Sequence, residues 1–393
     1  MNDHASFLKK YPLLRGVEEV ISRDELDALF SENRPLTLKV GVDPTSPEIH
    51  LGHAVFLRIL RRFQDKGHKV LLVVGGFTAL IGDPSGRDKT RPPLTAEQVE
   101  TNTERYKEQV LLILDEKRTQ FSNNGEWLGA LTAREVLRLA GNRSLNRLLE
   151  RAGFRGRLSR GEPIRLHELL YPLFQAHDSV VLAPDIEMGG RDQRPNFMTT
   201  RDAMKEAGLR PEVVLLVPLL VGLDGKKKMS KSFGNEIPLL APAEEMFGGL
   251  MSLPDEPVGD YLRLLTDLTS KEIREVLARH PMEGKREMAS EVVSSFHGVL
   301  EAERASAFFT KTVSEGEVPD QLPSLKVQGS ITLLDLLMAS GLFSSRGLAK
   351  RRILDGGVRV GDERVSKPQF LVESGLKTVL RVGKRDWFDL EVL

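Results

Sequence analysis

A continuous apolar run, Lys69-Val-Leu-Leu-Val-Val74, constrains the fold of this chain most strongly. Such a run is typical of a strand in a parallel sheet that is covered on both faces. A second predicted strand, Leu36–Val42, and a largely buried helix from His50 to about Lys66 precede it. Strand, loop, helix and strand form a βαβ unit with a right-handed crossover, so the sequence predicts an α/β fold.

Two later apolar segments extend the predicted sheet. Ser179–Ala183, extending towards Met188, and Glu212–Val217 are predicted strands, and helical sequence lies between them over residues 192–207. A long helical insertion at about residues 95–171 interrupts the sheet. The predicted fold class is therefore α/β, with a Rossmann-like, doubly wound parallel sheet and a helical insertion.

The ends of the chain differ in character from the predicted sheet. Residues 1–34 are predicted to be helical, and residues 243–313 to form amphipathic helices. Residues 314–328 are predicted to be a linker, and residues 331–393 to form two helices followed by short strands. The sequence thus predicts a sheet domain, an α-helical domain and a small α+β domain, at residues 1–236, 237–327 and 328–393.

Composition excludes several classes of protein. Among 393 residues, 40% are hydrophobic and 28% are charged, which is ordinary for a soluble globular chain of two or three domains. The formal net charge of zero disfavours a polyanion binder held by overall charge. Without cysteine, disulfides, thiolate metal sites and cysteine nucleophiles are excluded. No signal peptide or membrane-spanning run is found, so we expect a cytoplasmic protein without membrane contact.

The first candidate phosphate site is His50-Leu-Gly-His53 at the start of the predicted helix. His50 and His53 fall on one face of the first turn, where unpaired N–H groups and the positive end of the helix dipole attract anions. Gly52 lets a flat ligand approach the backbone. Imidazole N–H groups can stabilise charge on phosphate oxygens. Taken alone, the motif is equally compatible with two surface histidines at a helix start.

The second candidate site is the loop Val221–Asn235, which contains Lys228-Met-Ser-Lys-Ser232. Lysine is a compact charge on a flexible stem, so Lys228 and Lys231 suit a loop that closes on pyrophosphate. Ser230 and Ser232 can hydrogen-bond to phosphate. A lysine run on its own is more often a solvated face.

In this order and on this fold, the two motifs resemble the signatures of class I aminoacyl-tRNA synthetases. Nearly the whole chain is similar to the bacterial tyrosyl-tRNA synthetases that carry a C-terminal RNA-binding domain. The supporting segments are Gly41-Val-Asp-Pro-Thr45, Ile81-Gly-Asp-Pro-Ser-Gly86, Tyr171-Pro-Leu-Phe-Gln-Ala-His-Asp178 and Gly189-Gly-Arg-Asp-Gln193. The resemblance implies an anticodon-binding type of helical domain and an RNA-binding C-terminal domain.

A phenol, an amide and a carboxylate share one predicted helix face at Tyr171, Gln175 and Asp178, which suits a polar amino-acid ligand. The resemblance implies that Asp178 accepts the hydrogen bond of a tyrosine phenol. It also implies that the ammonium group of tyrosine is held by Thr78, Asp83, Tyr171 and Gln175, and that its carboxyl region meets Gln193.

The resemblance likewise implies ATP contacts in both motifs and at the sheet edge. These contacts are Asp43, Thr45, His50, Gly52, His53, Gly190, Asp192, Lys228, Met229, Ser230, Lys231 and Ser232. Arg87 and Arg91, in a basic loop, join His50, His53, Lys228 and Lys231 as the implied catalytic residues. ATP is expected to act as a substrate with Mg²⁺, without a tightly bound cofactor or a resident metal.

Three positions depart from the family pattern. Lys39 stands where many members have a tyrosine that touches the substrate phenol, and we include it among the tyrosine-binding residues. His177 replaces a usual tyrosine, and Arg191 a usual serine or threonine. Arg191 could alter the pocket or point outward. A paralogue that activates another amino acid is therefore an alternative.

A basic helix in the last domain carries Arg346, Lys350, Arg351 and Arg352, which we predict to bind tRNA phosphates. A further basic stretch is a hypothesis for the acceptor end: Arg143, Arg147, Arg151, Arg155, Arg157, Arg160 and Arg165. The overall prediction is a homodimeric ligase that forms tyrosyl-adenylate from ATP and tyrosine and then charges tRNA(Tyr). A non-catalytic RNA-binding regulator with the same fold is the second alternative.

Overall fold

The fold is taken from a computed structural model of the chain. It describes residues 7, 10–84, 95–141, 143–149, 152–314, 322–343, 345–383 and 386–393. The chain divides into two compact units. The first comprises Met1–Ala241 and Leu253–Gly284, and the second comprises Pro242–Ser252 and Lys285–Leu393. The division into three domains stays a prediction.

The first unit contains a mainly parallel sheet of six strands in its described part. The strands are β1 (Glu19–Ile21), β2 (Thr37–Val42), β3 (Lys69–Val74), β4 (Thr119–Asn123), β5 (Ile186–Gly190) and β6 (Val213–Val217). Their spatial order is β1-β6-β5-β2-β3-β4, and only the edge strand β1 is antiparallel to its neighbour. The predicted doubly wound α/β sheet is confirmed.

Helices connect these strands. They are α1 (Arg23–Ser31), α2 (Leu51–Asp65), α3 (Ala96–Val110), α4 (Gly125–Leu128), α5 (Ala133–Gly141), α6 (Leu145–Leu149), α7 (Ala152–Ser159), α8 (Leu166–Leu182) and α9 (Arg194–Glu206). Residues 70–74 of β3 and 213–217 of β6 are all buried, as expected for strands covered on both faces. On the α9 side, Phe197 packs against Val214 and Leu216.

Three predicted elements are wrong or incomplete. Ser179–Ala183 is not a strand, because these residues end the buried helix α8, where Ala183 adopts a left-handed φ of 44°. A short apolar run cannot distinguish a buried helix from a strand. The insertion at 95–171 contains β4, and residues 1–34 contain β1, so neither is wholly helical.

The remaining elements follow in chain order. The helices are α10 (Ala243–Met251), α11 (Val258–Leu265), α12 (Ser270–Leu277), α13 (Pro281–His297), α14 (Val299–Phe309), α15 (Leu333–Ala339) and α16 (Arg346–Leu354). The strands are β7 (Ser324–Val327), β8 (Ile331–Thr332), β9 (Val358–Val360), β10 (Glu363–Arg364), β11 (Leu371–Val372), β12 (Lys377–Val382) and β13 (Asp386–Val392). The helices predicted for residues 243–313 are confirmed.

In the second unit, a sheet in the order β10-β9-β12-β13-β7 packs with α15 and α16. Its core includes Leu336, Ile353, Leu380 and Leu390, all fully buried. The two helices and the strands that follow them were predicted. β7 was not, because the linker prediction covered it, and neither was β8, which precedes the helices. Residues 315–321 of that linker lie outside the described residues. Among the described helices, none is long and apolar enough to cross a membrane.

Candidate active site

The carboxyl ends of β2, β3, β5 and β6 meet at one edge of the first unit's sheet. A cavity of about 850 Å³ opens there, where ligands bind in doubly wound sheets. The predicted residues in its wall are Asp43, Thr45, His50, Gly52, His53, Thr78, Asp83, Tyr171, Gln175, Asp178, Gly190, Asp192, Gln193, Lys228, Met229, Ser230, Lys231 and Ser232. One cavity thus joins both phosphate motifs to the predicted amino-acid contacts.

His50 and His53 form the N-terminal cap of α2. Nδ1 of His50 accepts the N–H of Gly52 at 3.2 Å, and Nδ1 of His53 accepts the N–H of His50 at 3.2 Å. Burial lowers the pKa of His50 to about 3 and the pKa of His53 to about 4. A neutral ring that accepts at Nδ1 carries its proton on Nε2. Each ring therefore keeps an Nε2–H donor for a ligand.

Glycine is required between these histidines. A Cβ at Gly52 would lie 2.9 Å from both Cε1 and Nδ1 of His50, which is closer than side chains tolerate. Any larger residue would displace the His50 ring and weaken the cap. The first turn of α2 thus presents its N–H groups and dipole at the cavity wall.

Side-chain hydrogen bonds fix the backbone of the loop that carries the lysine motif. Oδ1 of Asp224 accepts the N–H groups of Lys226 and Lys227, each at 2.9 Å. Oδ1 of Asn235 accepts the N–H of Ser230 at 2.9 Å. These bonds define the backbone conformation that carries the motif across the cavity wall.

Both motif lysines are paired with carboxylates that belong to the same cavity wall. Nζ of Lys228 lies 3.0 Å from Oδ2 of Asp192, and Nζ of Lys231 lies 3.0 Å from Oε2 of Glu48. Both pairs are partly exposed, and such pairs contribute only about 0–1 kcal/mol. Either ammonium group can therefore leave its carboxylate for a phosphate.

Asp43, which follows β2, accepts two side-chain hydrogen bonds in the cavity wall. The hydroxyl of Tyr171 donates to Oδ2 of Asp43 at 2.9 Å, and the hydroxyl of Thr78 donates to Oδ1 at 2.8 Å. A Cβ at Gly75 would lie only 2.0 Å from that Oδ1, so glycine lets the chain pass close to the carboxylate. Burial, together with Asp43, raises the pKa of Tyr171 well above its usual value, so the phenol stays a donor.

A second set of hydrogen-bonded polar side chains lies at the cavity wall. Nε2 of Gln193 donates to Oδ2 of Asp83 at 2.7 Å. Nδ2 of the buried Asn196 donates to Oε1 of Gln175 and to Oε1 of Gln193, each at 2.9 Å. The two glutamine side chains are therefore oriented by Asn196.

Asp178 is a buried carboxylate in the cavity wall. Its Oδ1 accepts the indole N–H of Trp127 at 2.8 Å, and its Oδ2 accepts from Nδ2 of Asn124 at 3.2 Å. Burial raises the pKa of Asp178 to about 6, against the opposing effects of Lys39, Trp127 and Asn124. A fixed, mostly ionised carboxylate in a cavity wall is an acceptor for a ligand hydroxyl.

Comparison with known proteins identifies this arrangement. The family model of class I tRNA synthetases (W and Y) matches residues 31–314, and the S4 domain model matches residues 332–377. The tyrosine–tRNA ligase of Thermotoga maritima is 44% identical over 382 residues, which are 96% of this chain and 95% of that protein. The chain belongs to the class I tyrosine–tRNA ligase family.

Other relatives agree. The tyrosine–tRNA ligase of Deinococcus radiodurans is 44% identical over 366 residues, covering 91% of this chain and 89% of that protein. A tyrosyl-tRNA synthetase of Archaeoglobus fulgidus, solved with L-tyrosine, superposes with a TM-score of 0.60 at 25% identity, covering 76% of this chain and 99% of that one. The family resemblance drawn from the two motifs is therefore confirmed, as is the fold class.

Three positions differ from family expectation, and the fold places all of them away from the cavity wall. Lys39 is fully buried and pairs with Glu187 at 2.8 Å, so it does not reach the site as predicted for a tyrosine contact. Arg191 points outward, is 71% exposed and pairs with Glu18 at 2.9 Å. His177, whose pKa is lowered by burial, also lies outside the wall. Neither Arg191 nor His177 supports a different amino-acid specificity.

Two predicted catalytic residues, Arg87 and Arg91, lie outside the described residues of the chain. So do Arg151 of the basic insertion and the side chain of Arg147. Arg157 is not a tRNA contact, because its buried guanidinium pairs with the buried carboxylate of Glu168 at 2.5 Å. That arginine holds the insertion together instead.

The predicted tRNA contacts lie on α16 in the S4 domain. Arg346, Lys350 and Arg351 are exposed there, and Arg346 pairs with Asp335 at 2.6 Å. Arg352 lines a separate cavity of about 360 Å³, together with Arg359, Arg364 and Arg381. The second unit thus has a cluster of cations of which the sequence motifs indicated only Arg352.

Sequence reasoning missed several side chains of the site. Those in or against the wall are Glu48, Tyr106, Asn124, Trp127 and Asn196. Asn124 and Trp127 closely follow β4, a strand that the sequence did not reveal. A residue at the carboxyl end of a parallel strand is a site candidate only once the strand is recognised.

Proposed function

We propose that this chain catalyses the two-step charging of tRNA(Tyr). The carboxylate of tyrosine attacks the α-phosphate of ATP, giving tyrosyl-adenylate and pyrophosphate. The tyrosyl group then passes to the terminal ribose of tRNA. The observation that carries the proposal is a single cavity that holds both phosphate motifs and a buried acceptor, Asp178.

Adenylation needs no base in this site, because the attacking carboxylate is already ionised. Charge grows on the phosphate oxygens as the bond to pyrophosphate breaks. His50 and His53 are neutral Nε2–H donors on a fixed helix, and Lys228 and Lys231 bring positive charge from the loop that lies beside them. Rate enhancement would come from positioning and from charge stabilisation. Mg²⁺ enters as part of the ATP substrate.

Selection of the amino acid depends on polar side chains of the protein at both ends of the substrate, the phenol and the ammonium group. Asp178 accepts the phenol O–H, and a substrate without that hydroxyl would leave the buried carboxylate unmatched. Tyrosyl-tRNA synthetases are themselves the standard example of discrimination by a buried polar group that the wrong substrate leaves unpaired. The ammonium group is assigned to the wall formed by Thr78, Asp83, Tyr171 and Gln175.

The partner in the second step is tRNA, bound in part through the S4 domain. Exposed cations on α16 suit the phosphate backbone, and their contribution should fall as salt rises. We assign this role in translation to the cytoplasm.

A homodimer is also part of the proposal. Large apolar side chains within residues 95–182 are exposed in the single chain: Leu112, Leu137, Leu145, Leu158 and Leu166. Large exposed apolar surface is typical of protein interfaces. Light scattering of the purified protein should give twice the 43.9 kDa chain mass, and a mass of one chain would contradict this part.

ATP–pyrophosphate exchange, measured with each of the proteinogenic amino acids in turn, tests the function. Exchange with tyrosine is expected. Exchange with another amino acid and none with tyrosine would favour the paralogue, and no exchange at all would favour a non-catalytic regulator. No described residue of the cavity wall favours either alternative.

A further inference from the structure

Three ionisable side chains lie fully buried behind the amino-acid end of the cavity. Lys39 on β2 is the register partner of Glu187 on β5, and Glu212 directly precedes β6. Nζ of Lys39 lies 2.8 Å from Oε1 of Glu187 and donates to the hydroxyl of Ser179 at 2.6 Å. Charges this deep persist only when they are paired. The reaction as described gives them no role.

The protonation states within this group follow from its geometry. Burial opposes the charge on Lys39, but Glu187, Glu212 and Asp178 outweigh it and raise the lysine pKa. Burial, together with the adjacent Glu187, raises the pKa of Glu212 well above its usual value. The Lys39 ammonium is therefore paired with Glu187, and the raised pKa of Glu212 favours its protonated form.

This group is linked to the cavity through two consecutive residues of α8. Ser179, which accepts from Lys39, is the neighbour of Asp178 on α8. Burial raises the pKa of Asp178. Among the groups that lower this pKa, Lys39 has the largest effect, whereas Glu187 raises it. The charged and polar groups that act on Asp178 are Lys39 on β2, Asn124 and Trp127 after β4, Tyr171 on α8 and Glu187 on β5.

We propose that Lys39 is a positioning residue whose buried charge keeps Asp178 ionised for the substrate phenol, while Glu187 and Glu212 hold that charge in place. Lys39 thus serves substrate recognition from behind the wall, without touching tyrosine. The proposal rests on the proposed function, in which Asp178 accepts the phenol.

The test measures tyrosine binding without ATP between pH 5 and 8.5, by isothermal titration calorimetry. Only ionised Asp178 accepts the phenol hydrogen, so affinity is full above the pKa of Asp178 and is lost as the pH falls through it. Lys39→Met removes the opposing charge and should move this midpoint upward by about one pH unit. Affinity should then fall about fivefold at pH 6 and about twofold at pH 7, and remain unchanged at pH 8.5.

Three control variants separate charge from packing. Lys39→Arg keeps the charge and should keep the midpoint. Lys39→Met combined with Glu187→Gln removes one charge of each sign, so the midpoint should return towards the wild-type value. Glu212→Gln replaces an acid that already carries a proton and should leave the midpoint unchanged. Thermal unfolding of each variant reports its stability separately.

A weakening of tyrosine binding by Lys39→Met that is equal at every pH would overturn the proposal, since it would show a structural role alone. Lys39→Gln, whose amide can still donate to Ser179 and Glu187, gives the same test if the methionine variant does not fold. Failure of the proposed function is distinguishable, because the wild-type protein would then bind no tyrosine at any pH.

Discussion

The neutral histidine pair allows a sharp test of the adenylation step. His53→Ala removes the Nε2–H donor and also the acceptor for the His50 N–H, which lies 3.2 Å from Nδ1. His53→Gln is the matched control, because glutamine at this helix position can accept the same N–H and offer an amide N–H nearby. His53→Gln therefore keeps the cap and restores part of the donor, whereas His53→Ala loses both.

The expected size of the effect follows from the chemistry of that donor. A hydrogen bond to a charged oxygen contributes about 1.5–3 kcal/mol, which corresponds to a loss of roughly 10- to 150-fold in the rate of adenylate formation. Loss of the cap should lower the free energy of unfolding by only about 1 kcal/mol. His53→Ala should therefore slow the reaction strongly while the protein stays folded at 25 °C.

Single-turnover quench kinetics with saturating ATP and tyrosine measures the rate of adenylate formation directly. His53→Gln should recover part of the rate that His53→Ala loses. Because the pKa values of His50 and His53 are about 3 and 4, the wild-type rate should show no histidine titration between pH 6 and 8. A wild-type rate that falls as a histidine loses its proton near pH 6.5, or an unchanged rate in His53→Ala, would rule out this role for the pair.

Three further predictions concern the rest of the cavity. Asp178→Asn should raise KM for tyrosine by roughly 10- to 100-fold with little change in KM for ATP, as exchange kinetics would reveal, because the phenol loses a charged acceptor. Gly75→Ala should abolish tyrosine binding in calorimetry, since its Cβ would lie 2.0 Å from a carboxylate oxygen, whereas Gly141→Ala, outside the cavity wall and with nothing within 4 Å, should bind normally. Glu48→Gln frees Lys231 from an exposed ion pair, so KM for ATP should change by less than about fivefold in exchange assays.

The sequence predicts those parts of the fold whose signal is local. Runs such as Lys69–Val74 determine buried strands, and the two short motifs lie where strand ends and turns place them. The edge strand Glu19–Ile21 and the strand Thr119–Asn123 were missed, because neither is a continuous apolar run. Strands at a sheet edge need less burial, so they carry weaker patterns.

The sequence predicted the cavity wall best in the two phosphate motifs. The wall contains every described residue of the predicted ATP set, whereas Lys39 is turned away from it. The direction of that side chain depends on the register of β2 with β5, which pairs Lys39 with Glu187 from a distant part of the chain. Such a pairing is a property of the folded sheet, and no local spacing along the chain indicates it.

Adenylate formation itself is tested by the burst of pyrophosphate release when the purified protein meets ATP and tyrosine without tRNA. We expect a stoichiometric burst, with tyrosyl-adenylate retained on the protein, and transfer of the labelled tyrosine to tRNA(Tyr) when it is added. The same burst should be absent with phenylalanine at equal concentration. No burst with tyrosine, or an equal burst with phenylalanine, would contradict the proposed function.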